Sequence, residues 1–366
     1  MKSLVILILF LFQSYIIAVK GADVLIPNSE TDGFWKVDSL HYDSAISEDS
    51  NRTFFLKSNL PIQFSGYSQI RYQHFDQKRS NDGFDIYHTR LNLKGIISPA
   101  LTYRIQAEFV GKGAPKLIDA YGEWKFKSYI IFTAGQFYIP LSLENMTPDE
   151  FLESVYRSQV VNALANRSND VMGDNSGRDI GAQISGSFLK LNNSCFIDYK
   201  LGIFNGAGIN VTADNNNYKD VGGRLVFHPL AGVDFGTSIY HGVAYYGTQP
   251  ANHIHNRQGL DLNVTYSDFN FKAEYLQGKD SSDVRRSGYY AQGIYYIIPK
   301  VFDVLIKYDT YNPNLVKSNN YETDYTASLG YSFSAYSRLQ AAYVFQREHI
   351  TQIKNNYAVL RLQIGF

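Results

Sequence analysis

Charged side chains are where this chain holds most of its chemical potential, and between residues 71 and 125 they fall on the polar side of alternating segments. The bases there are Arg71, Arg90, Lys94, Arg104 and Lys125, and the acids are Glu108, Asp119 and Glu123, with Asp85 nearby. Placed on the inner face of a closed sheet, they would line a water-filled passage. Rings of basic groups in a constriction concentrate anions. Opposed rows of acids and bases instead set up a transverse field with weak selectivity. Both readings fit these residues. A second charged group, Glu150, Glu153 and Arg157, lies in the longest interruption between segments.

Catalytic chemistry finds little support. There is no G-x-S-x-G elbow, no Ser/His/Asp grouping and no zinc-type spacing. His253 and His255 in NHIHN lack a third ligand in sequence and read as a solvated loop. No catalytic, cofactor or metal site is therefore expected. The 34 Lys and Arg balance 34 Asp and Glu, so nothing points to a nucleic-acid partner. The single cysteine, Cys195, leaves no intrachain disulfide to form.

The elements that must position these charges are short strands. In LTYRIQAEFV, Leu101, Tyr103, Ile105, Ala107 and Phe109 share one face, opposite Thr102, Arg104, Gln106 and Glu108. LDLNVTY (260–266) and FNFKAEY (269–275) alternate in the same way. A period of two marks a strand, and one apolar face against one charged face fits a lipid-facing, water-lined barrel. YIIFTAGQF (129–137) and GYYAQGIYYIIP (288–299) do not declare their faces. Tight turns near residues 98–100, 127–128, 192–193, 229–232, 267–268, 299–300 and 335–337 alternate with eight longer polar loops. That rhythm predicts about sixteen antiparallel strands with both termini on the tight-turn side. The last strand, NNYAVLRLQIGF, puts Ala358, Leu360, Leu362, Ile364 and Phe366 on one face, with Tyr357, Arg361, Gln363 and Gly365 on the other. A final strand ending in Phe resembles the signal read by the outer-membrane barrel assembly machinery.

Upstream, Lys2 and the apolar run LVILILFLF (4–12), followed by small residues at Ala18, Gly21 and Ala22, read as a signal peptide over 1–21. An uncleaved anchor helix is the alternative. Residues 22–58 read as a polar N-terminal extension, and 59–366 as the transmembrane barrel.

Residues 141–177 form the third long loop. Thr147-Pro-Asp-Glu150 has the form of a capping box, followed by Phe151, Leu152, Val155 and Tyr156 on one helical face. The pattern predicts a short helix packed on the inner wall, with Glu150, Glu153 and Arg157 on its polar side, so the loop folds inward and narrows the lumen.

The Asp119-Ala-Tyr motif, the Gly135-Gln-Phe-x-x-Pro140-Leu-Ser-Leu-Glu144 block, Arg178-Asp-Ile-Gly-Ala-Gln183 and FDIYHTRLNLKG (84–95) together resemble the phosphate-selective porin O/P family. The resemblance covers roughly residues 60–366. It implies a sixteen-stranded, usually trimeric porin with an inward-folded third loop. The arginine ladder of the family's anion-specific members has no counterpart as an Arg-x-Arg-x-Arg run.

The sequence therefore predicts an outer-membrane channel of a Gram-negative bacterium, passing small hydrophilic solutes or anions such as phosphate by passive diffusion. The other reading is an outer-membrane barrel enzyme or adhesion protein without an open pore.

Overall fold

A computed structural model describes residues 53–55, 61–76, 81–191, 194–211, 213–280, 284–351 and 353–366. The expected signal peptide, and all of the expected extension except residues 53–55, lie outside the described residues. No helix among them is long and apolar enough to cross a membrane.

Sixteen strands form one antiparallel sheet that closes on itself. They are β1 (Pro61–Phe75), β2 (Gly83–Ser98), β3 (Leu101–Glu108), β4 (Lys116–Lys127), β5 (Ile130–Tyr138), β6 (Arg178–Leu191), β7 (Ser194–Phe204) and β8 (Asp220–Leu230). The second half comprises β9 (Val233–His241), β10 (Asn256–Tyr266), β11 (Phe269–Lys279), β12 (Arg285–Ile298), β13 (Phe302–Asn312), β14 (Glu322–Ser332), β15 (Arg338–Glu348) and β16 (Tyr357–Gly365). Each strand pairs with the next, and β16 pairs with β1 through Arg361 opposite Arg71 and Gly365 opposite Tyr67. Closure leaves no lateral edge facing lipid, the condition for a sheet to span a bilayer.

The described turns fall where the residue pattern places them, so tight connections and long loops alternate around the ring; the turn expected at 192–193 lies outside the described residues. Two details extend that pattern. A short strand, Thr53–Phe55, pairs antiparallel with Pro61–Gln63, so sheet pairing begins inside the segment read as extension. The long loop after β9 also carries its own hairpin, Val243–Tyr246 with Ala251–Ile254.

Burial is inverted relative to a water-soluble protein. Ile105, Leu260, Phe269 and Ile364 are among many large apolar side chains left on the outside, whereas Arg104, Asp261, Lys272, Glu274 and Arg361 are all buried. A sheet puts successive side chains on opposite faces. Here the apolar face is outward, toward hydrocarbon, and the charged face inward.

Candidate functional site

The third loop, between β5 and β6, enters the barrel and runs along the inner wall. It carries α1 (Leu143–Met146), a single 3-10 turn at Asp149–Phe151 and α2 (Gln159–Leu164). The helix predicted to start at Thr147 shrinks to that turn. Thr147 does not cap it: its hydroxyl donates backward to the Leu143 carbonyl at 3.0 Å, and no side chain caps the turn. Residues 152–157 are not helical, because their carbonyls are claimed by donors on the wall instead of by their own amides. A helical segment forms on either side of this stretch.

Apolar packing fixes the loop's far end. Val160, Val161, Ala163 and Leu164 join Ile139, Leu141, Phe137, Phe204, Tyr240, Leu276 and Tyr290 in one buried cluster. The wall makes room through missing side chains: a Cβ on Gly278 would stand 2.7 Å from Leu164, and one on Gly288 2.9 Å from Val160. The family-like motifs act on the same loop. Glu144 accepts from Lys307 Nζ at 2.9 Å and from the Ser158 amide at 2.8 Å, tying α1 to α2 and to β13. Arg178 donates to both oxygens of Asp119 at 2.6 and 3.3 Å, pinning the loop's return to β4. Asp179 accepts from the Gly206 amide at 2.7 Å and so holds the next long loop.

The charged side of the loop builds a buried cluster against β2 to β4. Asp149 meets Arg90 at 2.7 Å, Arg157 at 2.6 Å and Arg167 at 3.9 Å. Burial alone would raise the Asp149 carboxyl, but the guanidinium groups of Arg157, Arg90 and Arg167 hold it well below the usual carboxylate range. Arg90 also donates to Glu108 at 2.9 Å, while Arg104 stands 3.6 Å from Asp119. The cluster thus combines the guanidiniums of Arg90, Arg104, Arg157, Arg167 and Arg178 with the carboxylates of Glu108, Asp119 and Asp149.

The residues picked out by alternation separate into distinct surroundings. Arg71, Arg90, Arg104, Glu108 and Asp119 are buried, and Arg71 is paired with Asp85 and stacked 3.7 Å from the Tyr87 ring. Lys94 and Glu123 are half-buried, Lys94 opposite Arg104 and Glu123 opposite Thr102, nearer the tight turn. Lys125 is exposed, opposite the Ile130–Ile131 end of β5 and so at the tight-turn rim. Glu153 pairs across the lumen with Lys272 and Gln292, and Arg157 is satisfied by Asp149 and the Glu144 carbonyl. Glu150 is half-buried, its carbonyl accepting from Gln363 at 3.1 Å. Of the two loop histidines, His255 turns inward and bonds Asp170 at 3.1 Å, while the His253 ring packs 4.5 Å from Tyr246.

Sequence alone missed Arg167, Arg178 and Arg338 as parts of this interior, while the alternation of the last strand already put Arg361 on the face opposite the apolar one. Only the closed fold brings Arg178 to Asp119, and Arg338 and Arg361 to the loop.

Comparison with known proteins places this geometry. The fold matches an anion-selective porin from Comamonas acidovorans at a TM-score of 0.62 and 11% identity, over 83% of this chain and 99% of that one. Salmonella typhi OmpF, in complex with daunomycin, matches at 0.63 and 10%, over 86% and 100%. The outer-membrane channel DcaP of Acinetobacter baumannii matches at 0.58 and 11%, over 86% and 99%. Among curated proteins none matches the sequence. The family model for phosphate-selective porin O and P matches residues 62–252, more than half of the chain. The chain belongs to the phosphate-selective porin O and P family, and is an outer-membrane channel of a Gram-negative bacterium.

Proposed function

We propose that this channel passes small hydrophilic solutes by passive diffusion, with a preference for anions set where the third loop meets β2, β3 and β4. The observation that carries this reading is the convergence of five guanidinium groups, those of Arg90, Arg104, Arg157, Arg167 and Arg178, where the loop meets the wall. In a setting of low effective dielectric such a concentration of positive groups is weakly screened and attracts anions. The arginines come from β2, β3, β6 and the loop, so no run along a single strand is needed. Lys94 stands opposite Arg104, Glu123 lies nearer the tight turns, and Lys125 faces water at the rim, where ions screen it within about 8–10 Å. The reading requires no bond-making step.

Single-channel recording across a salt gradient tests it: a reversal potential on the anion side is expected, together with reduced chloride current when phosphate is added. A cation-side reversal potential would overturn it.

The homotrimer fits a lipid-facing wall of this kind, and chemical cross-linking of the detergent-extracted barrel tests that assembly. Recognition by the assembly machinery is assigned to β16. Its terminal Phe366 exchanges backbone hydrogen bonds with Gly66 at 3.0 and 3.2 Å and packs 5.9 Å from Phe64. Deleting Phe366 should lower the yield of assembled barrel. Export rests on the leader over residues 1–21, and N-terminal sequencing of the mature protein tests it.

A further inference from the structure

The stretch between the loop's two helices is held differently from its ends. At one end, the amides of Leu143 and Glu144 donate to the Glu274 carboxylate at 3.1 and 3.2 Å. At the other, α2 sits in the apolar cluster over Gly278 and Gly288. Residues 149–155 between them are bound through their backbone carbonyls, with ion pairs from the Asp149 and Glu153 side chains to Arg90 and Lys272 in addition. Gln69 donates to the Asp149 carbonyl at 3.2 Å and Gln363 to that of Glu150 at 3.1 Å. Arg338 donates to the Leu152 carbonyl at 2.5 Å and Gln340 to that of Glu153 at 2.7 Å. Arg361 donates to the carbonyls of Leu152, Ser154 and Val155 at 3.4, 3.3 and 3.0 Å.

These donors form a grid built by the sheet. Arg338, Gln363 and Gln69 are register partners in one row across β15, β16 and β1, and Gln340 and Arg361 begin the next. Ser154 and Val155 are both almost fully buried, so the strap fills the space it crosses. Arg361 is set apart by its company: its hydrogen-bond partners are all neutral oxygens, those three carbonyls and Oε1 of Gln340. A buried guanidinium compensated only by carbonyl dipoles is costly, and water admitted by a moving strap would relieve it. Hydrogen bonds exchange readily for bonds to water, whereas apolar contacts do not. Water entering here would release this stretch before the apolar α2 end.

We propose that residues 149–156 are a displaceable strap across the lumen, that its detachment from β15, β16 and β1 widens the channel, and that Arg361 is its latch. The widening rests on the channel reading above; the detachment does not.

The test uses the full-length barrel with Cys195→Ala and Ser154→Cys, labelled with a water-soluble maleimide. Position 154 should react slowly when Arg361 is present and about ten-fold faster or more with Arg361→Gln, the size expected for loss of hydrogen bonds from a charged donor. Arg361→Lys should fall between. Should Arg361→Gln fail to fold, Gln340→Ala removes a neighbouring donor and gives the same readout. In bilayers, Arg361→Gln should raise mean conductance. An oxidised Ser154→Cys/Gln340→Cys pair should lower it, reversibly on reduction. Normal conductance with unchanged labelling overturns the strap and leaves the channel standing. Accelerated labelling without conductance in any variant overturns the channel reading instead.

Discussion

The two faces of the third loop are held by opposite kinds of interaction. The α2 face is apolar, seated on a wall stripped of side chains at Gly278 and Gly288, and its contacts would be the same at any pH or ionic strength. The face around Asp149 is charged, with guanidiniums from β2 and from the loop itself converging on one carboxylate. The first face decides whether the loop lies in the lumen at all, and the second decides what the narrowed lumen prefers. Position and selectivity are thus separable, and substitutions should move one without the other.

The largest effect should come from the apolar face. Leu164→Asp buries an unpaired carboxylate at a fully enclosed site, against a penalty of several kcal/mol. The loop should undock, giving a several-fold rise in single-channel conductance and faster proteolysis within residues 141–177. Unchanged conductance in a folded, heat-modifiable barrel would break the division of roles. Next, Asp149→Asn leaves Arg90, Arg157 and Arg167 without their shared counter-ion. Breaking a buried ion pair on one side costs about 3–5 kcal/mol, and the reversal potential should shift further toward anions while conductance changes less than in Leu164→Asp. Lys272→Met strands Glu153 in the lumen and should shift the reversal potential the opposite way, toward cations, by a smaller amount. Smallest of all, Lys125→Gln at the exposed rim should leave stability within about 0.5 kcal/mol and alter current only at low salt, as a conductance series against ionic strength would show.

How far the sequence could be read follows the same division. Strand count, turn positions and the outward faces of β3, β10, β11 and β16 were legible because lipid on one side and water on the other impose a period of two. The segments 129–137 and 288–299 were not, and the structure supplies the reason. Phe137 and Tyr290 face inward yet are apolar, because they receive the loop, so both faces of β5 and β12 carry apolar side chains there. The capping box at Thr147 misled for a related cause: helix propensity in residues 147–156 is weak beside the competition from Arg338, Gln340 and Arg361, which take the carbonyls a helix would use. The arginine cluster stayed hidden because its members are scattered over the chain from Arg90 to Arg178 and meet only in the closed barrel. A search for a run along one strand cannot detect a ring across several.

The seam between β1 and β16 has a consequence for how the barrel is made. Every other neighbouring pair of the sixteen is consecutive in sequence, joined by a turn or loop of which the third is the longest. The Arg71–Arg361 pairing joins residues almost a whole barrel apart. Its loop-closure term is the largest in the fold, and contacts of such long range form late. Until then the two terminal strands present open edges, the most adhesive state a sheet can adopt. A sheet with this seam unmade would be open, with Phe366 on the edge that must find Gly66 to close it.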